Sequence, residues 1–176
     1  LIRSGLYFWL EQTDFDFTIV CHTGNHGRDT FKVQDNESER SYEDFMYNLL
    51  RYEFRNESRM HWIISESYHT YIEVHKKVLR FHHGHAIKGG GSGVGGIAPA
   101  LLRAVGKWNN NRRADIDCIG HFHQYLDFGN VVVNGSMIGY NAFAQRHQYS
   151  AEPPKQALFL IDAKRGKTVS EPIMFI

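Results

Sequence analysis

Two cysteines in 176 residues are too few for a disulfide framework. Cys21 and Cys118 each sit in an apolar, strand-like run, so buried free thiols are expected, which fits a reducing, cytoplasmic setting. No apolar run approaches the roughly 20 residues that a membrane span needs, and no secretory signal is recognisable. The Asn-x-Ser sequons at Asn36, Asn56 and Asn134 therefore carry little weight. Excess charge is missing too. The net value is +1 with neutral histidine, which gives no overall footprint for nucleic acid and leaves only a local basic patch open.

What is present is an ordinary core composition, 42% hydrophobic and 22% charged, consistent with one domain spanning 1–176. Histidine is abundant: eleven occur, and five of them crowd into two short motifs. The chain opens on Leu1 in what reads as the middle of an amphipathic helix, so a natural segment is expected to precede it.

Hydrophobic patterning predicts helices over 1–12, 41–55 and 97–109. The second opens on the capping-box pattern Ser41-Tyr42-Glu43-Asp44, with Phe45, Leu49 and Tyr52 at helical spacing. The third carries Ala98, Leu101, Leu102 and Val105 on one face. Strands are predicted over 15–21, 60–65, 68–74, 77–81, 115–119, 124–128, 131–133, 157–161 and 172–176. Residues 140–154 read as a long polar and aromatic loop. Strands outnumber helices, which gives a sheet-rich α/β sandwich.

Three of the strands run directly into histidine motifs. Thr23-Gly24-Asn25-His26 follows the first, His82-His83-Gly84-His85 follows 77–81, and Gly120-His121-Phe122-His123 follows 115–119. Strand ends of one α/β sheet can converge on a common point. Neutral imidazoles and an amide oxygen suit a first-row divalent metal. Alternate residues of an extended Gly-His-x-His segment point opposite ways and can reach two adjacent ions. A lone histidine, by contrast, is mostly surface or hydrogen-bonded core, and that reading covers His22, His61, His69, His75 and His147.

The order of these motifs resembles the calcineurin-like metallophosphoesterases. The variant Gly24-Asn25-His26-Gly27-Arg28 is similar to that of phage-encoded members, which would place the protein in a host cytoplasm. The resemblance runs from about Phe17 to the end of the chain and includes Asn134-Gly135-Ser136. It implies a four-layer αββα sandwich, of which this chain would be the C-terminal portion. It also implies hydrolysis of phosphomonoesters or phosphodiesters, with a nuclease or nucleotide phosphodiesterase preferred. Carried over residue by residue, Asn25, His83 and His121 would bind the second metal and His123 the first. His26 would be the acid that protonates the leaving oxygen, and Arg28 would hold substrate phosphate. Two ions are implied in the complete enzyme, Mn²⁺ foremost, with Fe²⁺, Ni²⁺ or Zn²⁺ also compatible. Such a pair, about 3.5–4 Å apart, neutralises phosphate charge and activates a water.

The chain departs from the family pattern in two places. Gly27 stands where an Asp or Glu usually follows the histidine. The Asp-x-His and Gly-Asp-x-x-Asp motifs that precede Gly-Asn-His in the family are absent, and Asp14 and Asp16 do not replace them. Without their bridging carboxylate two cations would repel strongly, so at most one weakly held metal is expected here. The missing portion would come from upstream or from a second chain. The alternative class is a non-catalytic interaction subunit that keeps the fold and loses the metals.

Gly91-Ser92-Gly93-Val94-Gly95-Gly96 also contains a Gly-x-Gly-x-x-Gly before a helix, with Asp115 and Asp117 at ribose-binding distance in sequence. Residues 82–90 separate it from the preceding strand, so the tight strand-turn-helix geometry of a dinucleotide site is lost. A glycine-rich lip beside the metal motifs is the reading kept, with Lys88 either facing a phosphate there or, as the preferred reading, solvated. Tyr140, Phe143, Arg146, His147 and Tyr149 either cover a sheet edge or stack nucleobases.

Overall fold

The structure is a computed structural model that describes residues 1–32, 40–88 and 96–175. The mixed α/β class expected from the sequence is what it has. Two compact units divide the chain, Leu1–Tyr68 and His69–Ile176.

The first unit contains α1 (Ile2–Gln12), β1 (Phe17–Cys21), α2 (Tyr42–Glu53) and β2 (Met60–Ile64). β1 and β2 pair in parallel, Phe17 opposite Met60 and Ile19 opposite Trp62, so α2 is the crossover that parallel pairing requires. Leu6, Leu50, Phe54 and Met60 form its core, with Leu10, Phe17, Ile19, Met46 and Trp62 packed around them. Ser41 caps α2, its Oγ accepting from the Glu43 N–H at 3.2 Å. Phe45, Leu49 and Tyr52, whose spacing marks the helix, are exposed; the side turned to the core is Met46, Leu50 and Phe54.

The second unit is built on β3 (Thr70–Val74), β4 (Lys77–His82), β5 (Ile116–Ile119), β6 (Leu126–Asp127) and β7 (Val131–Val133), in the order β3-β4-β5-β7-β6. β4, β5 and β7 run parallel, and the outer strands are antiparallel. α3 (Ala98–Asn111) links β4 to β5 and packs on one face of the sheet through Ala100, Leu101 and Val105, against Ile119, Phe122, Val131 and Val133. Leu102, placed on the same face by spacing, is exposed. The hairpin of β8 (Lys155–Asp162) and β9 (Gly166–Met174) covers the opposite face, where Ala157, Phe159 and Ile161 meet Leu79, Ile116 and Val132. Within 140–154 the structure has a short helix, α4 (Ala142–Arg146), that sequence patterning misses. Asn141 caps it, accepting from the Ala144 N–H at 3.0 Å. Most of the glycine-rich stretch 89–96, and most of the polar segment 36–40, lie outside the described residues. Among the described residues, no helix is long and apolar enough to cross a membrane.

Strand alternation turns Arg80, His82 and Asp117 toward α3 rather than toward the hairpin. Arg80 and Asp117 are 0% and 1% exposed and form a bidentate pair, Nε–Oδ1 2.6 Å and Nη2–Oδ2 3.0 Å. The remaining guanidinium donors reach Asn109 Oδ1 at 3.0 Å and the Arg112 carbonyl at 3.2 Å, both at the end of α3. Burial pushes the Asp117 carboxyl up, but His82 and Arg80 outweigh it and hold it below the usual carboxylate range. Removing one partner of such a pair leaves a buried charge alone. Asp117→Ala is expected to lower stability by about 3–5 kcal/mol in urea unfolding, and the double change Arg80→Met/Asp117→Leu to recover most of it.

The β3–β4 hairpin turns on His75 and Lys76, with φ of 50° and 65°. Two left-handed residues are what this two-residue turn needs, and Asn-Gly supplies them at less steric cost. His75→Asn/Lys76→Gly should raise stability by about 1 kcal/mol.

Candidate metal centre

In the second unit the ends of β4, β5 and β7 lie at one edge of the sheet because the three strands are parallel. His83 follows β4, Gly120-His121-Phe122-His123 follows β5, and Asn134 follows β7. The first two segments interlock. The Gly120 N–H donates to the His83 carbonyl at 3.1 Å. Gly84 has φ +107°, and a Cβ there would meet Ile119 Cγ2 at 2.9 Å and the Phe122 ring at 3.3 Å, so only glycine fits.

This interlock brings His83 and His121 together, with His121 Nδ1 3.2 Å from His83 Nε2. Two nitrogens bound to one ion at about 2.0–2.1 Å in tetrahedral geometry stand roughly 3.3 Å apart, so the two imidazoles fit a shared metal. The His85 ring lies 5.6 Å from that of His83. His85 received no role from the motif reading, although it belongs to the same His-Gly-His tripeptide. His123 stands among Phe143 and Tyr149, ring centroids 5.1 and 6.2 Å away. His121 and His123 both have left-handed backbone, φ 70° and 57°, an uncommon state for a side-chain-bearing residue and one that clusters at functional sites. Among the described residues, no group of three or more His, Cys, Asp or Glu is set to hold a metal ion. His83 and His121 are thus brought together as a pair, and among the described residues no third such ligand completes a set with them.

Both thiols are poor ligands as they stand. Burial pushes Cys21 up to about 11. Burial, and then the Asp117 carboxylate, pushes Cys118 up to about 12.

In the first unit, Asn25, His26 and Arg28 lie in the loop after β1, and that loop is stitched to the start of α2. The Tyr42 N–H donates to the Gly27 carbonyl at 2.8 Å, and Asp29 N–H to the Arg40 carbonyl at 2.9 Å. The half-buried Arg28 guanidinium donates to the Asn25 carbonyl, bracing the turn from within. His26 is exposed. Tyr47 donates to the His22 carbonyl at 3.1 Å; burial, then Glu43 and Cys21, keep its phenol protonated.

The acidic group that motif reading misses is Glu43. Its carboxylate accepts from the Gly24 N–H. A Cβ on Gly27 would lie 2.6 Å from Glu43 Cγ and 2.9 Å from Ser41 Oγ. A side chain at position 27 would have to displace the Glu43 and Ser41 side chains, which fill the space beside it. The only signal of this in the sequence is the capping pattern at Ser41.

No protein-family model matches the chain, and no curated protein does. Similar solved structures include Vps29 from Entamoeba histolytica complexed with Zn²⁺. It is 17% identical over 70% of this chain and 74% of that one, at TM-score 0.42. A novel archaeal phosphodiesterase is 14% identical over 89% and 68%, at 0.45. A predicted phosphoesterase from Streptococcus pneumoniae is 11% identical over 90% and 97%, at 0.41. At these identities and TM-scores no residue's role is taken from these structures.

Gly27→Ala is expected to cost about 1–3 kcal/mol by overpacking. Made together with Glu43→Ala it should cost less. Strictly additive losses in the double-mutant cycle would show that Glu43 does not fill that space.

Proposed function

We propose that the chain belongs to a divalent-metal-dependent phosphoesterase acting on phosphomonoesters or phosphodiesters. The observation that carries this reading is the 3.2 Å approach of the His83 and His121 ring nitrogens at the end of two parallel strands. In it, His83 and His121 hold a divalent ion, with Mn²⁺ preferred and Fe²⁺, Ni²⁺ or Zn²⁺ compatible with imidazole donors. The bound ion would supply Lewis-acid neutralisation of phosphate charge and an activated water. On the resemblance, Asn25 adds an amide oxygen ligand, and His123 belongs to a second ion in the complete enzyme. His26, exposed in its loop, hands a proton to the leaving oxygen, a step worth about 10²–10⁴-fold. Arg28 holds the loop through the Asn25 carbonyl and keeps further guanidinium donors for a phosphate oxygen. Nucleotide or nucleic-acid phosphodiesters are the preferred substrates. An N-terminal portion supplied upstream or by a second chain would complete the donor set, in a host cytoplasm if the gene is phage-borne.

The test is Mn²⁺ binding and bis-p-nitrophenyl phosphate hydrolysis, by this chain and by a form extended upstream. His83→Ala and His121→Ala should each weaken metal binding and lower the activity of the extended form at least ~100-fold. His26→Ala should lower activity by about 10²–10⁴-fold and leave metal affinity unchanged. Absence of metal binding and of hydrolysis in both forms would sink this reading in favour of an interaction subunit.

A further inference from the structure

The near-zero net charge conceals a segregation. Unit Leu1–Tyr68 carries seven Lys and Arg against twelve Asp and Glu, a net of −5. Unit His69–Ile176 carries thirteen against seven, a net of +6. Between Glu73 and Asp115 there are eight basic residues and no acidic one. The two aspartates that end this stretch are engaged. Asp115 Oδ2 accepts the Val78 N–H at 2.9 Å, and Asp117 pairs with Arg80.

Part of that basic surface is shaped. A groove of ≈ 290 Å³ lies along α3, floored by Ala100 and Ala104, walled by the half-buried Trp108, and ringed by Lys88, Arg103 and Lys107. Arg103 and Lys107 are exposed and stand one helical turn apart, about 6 Å along the axis. Among the described residues none of the three cations has a carboxylate partner. Like charges at i and i+4 weaken a helix, and α3 carries no acidic side chain to offset them.

We propose that this groove binds the backbone of single-stranded nucleic acid. Unpaired cations in a row follow successive phosphates, and the apolar floor offers unstacked bases a surface, beside an indole whose ring also packs against His69 and His82. A duplex keeps its bases stacked inside and would use only the cations. The proposal does not depend on hydrolysis, so binding is measured in EDTA.

The experiment is fluorescence anisotropy of a labelled oligothymidylate of about 20 nucleotides, titrated with the whole chain across a salt series. Each phosphate contact on a single strand contributes about −0.7 to the slope of log K against log salt, so three contacts predict a slope near −2. Arg103→Glu/Lys107→Glu should weaken binding at least ~10-fold and remove about two-thirds of that slope. Arg103→Lys/Lys107→Arg should retain it. Lys164→Glu/Arg165→Glu, at the exposed β8–β9 turn, should also leave binding unchanged. If charge reversal prevents folding by circular dichroism, Arg103→Gln/Lys107→Gln takes its place. Wild-type affinity in the groove variant, equal weakening in the turn variant, no binding by the wild type, or tighter binding to a duplex of the same length would each overturn the proposal.

Discussion

A fully buried arginine–aspartate pair sits between the sheet and helix of the second unit, and the placement of the histidine loops depends on it. Arg80 and Asp117 belong to β4 and β5, and the other arms of the guanidinium hold the end of α3. The pair therefore sets the distance between two strands and a helix at one point. His83 is three residues beyond Arg80, and His121 four beyond Asp117. With this pair in place, two short parallel strands deliver two imidazoles to one spot. With only one partner left, the strands would carry an uncompensated buried charge, and sliding or splaying would relieve it.

Much of this was legible in the chain. A strand core such as Val131-Val132-Val133 announces itself as an unbroken apolar run, because a strand covered on both faces has no polar side. The histidine motifs could be placed at strand ends for the same reason. What escaped has a common physical cause. Phe45, Leu49 and Tyr52 set the period of α2 but face outward, since periodicity fixes a helix without saying which side is covered. α4 is too short to show a period at all, and its one signal is the cap at Asn141. Arg80, Asp117 and Glu43 are scattered charged letters in a sequence. Their meaning comes from neighbours thirty-seven and nineteen positions away.

The loop bearing Asn25 and His26 is built together with the helix that follows it. Beside Gly27 stands the Glu43 side chain from the first turn of α2, its carboxylate accepting from the Gly24 N–H. Glycine permits that arrangement by having no Cβ. Ser41, which caps the same helix, fixes the approach of Glu43, so helix capping and loop chemistry are one construction.

Phe122 lies between His121 and His123, is 3% exposed, and is locked among Ile119, Leu101, Val131 and the turn at Gly84. A segment nailed down by its middle residue responds as a seesaw plate does to its pivot. A change of one methylene beneath Phe122 would be carried to both flanking rings together, so the shape of the hydrophobic core is itself an adjustable setting of the surface that those rings present.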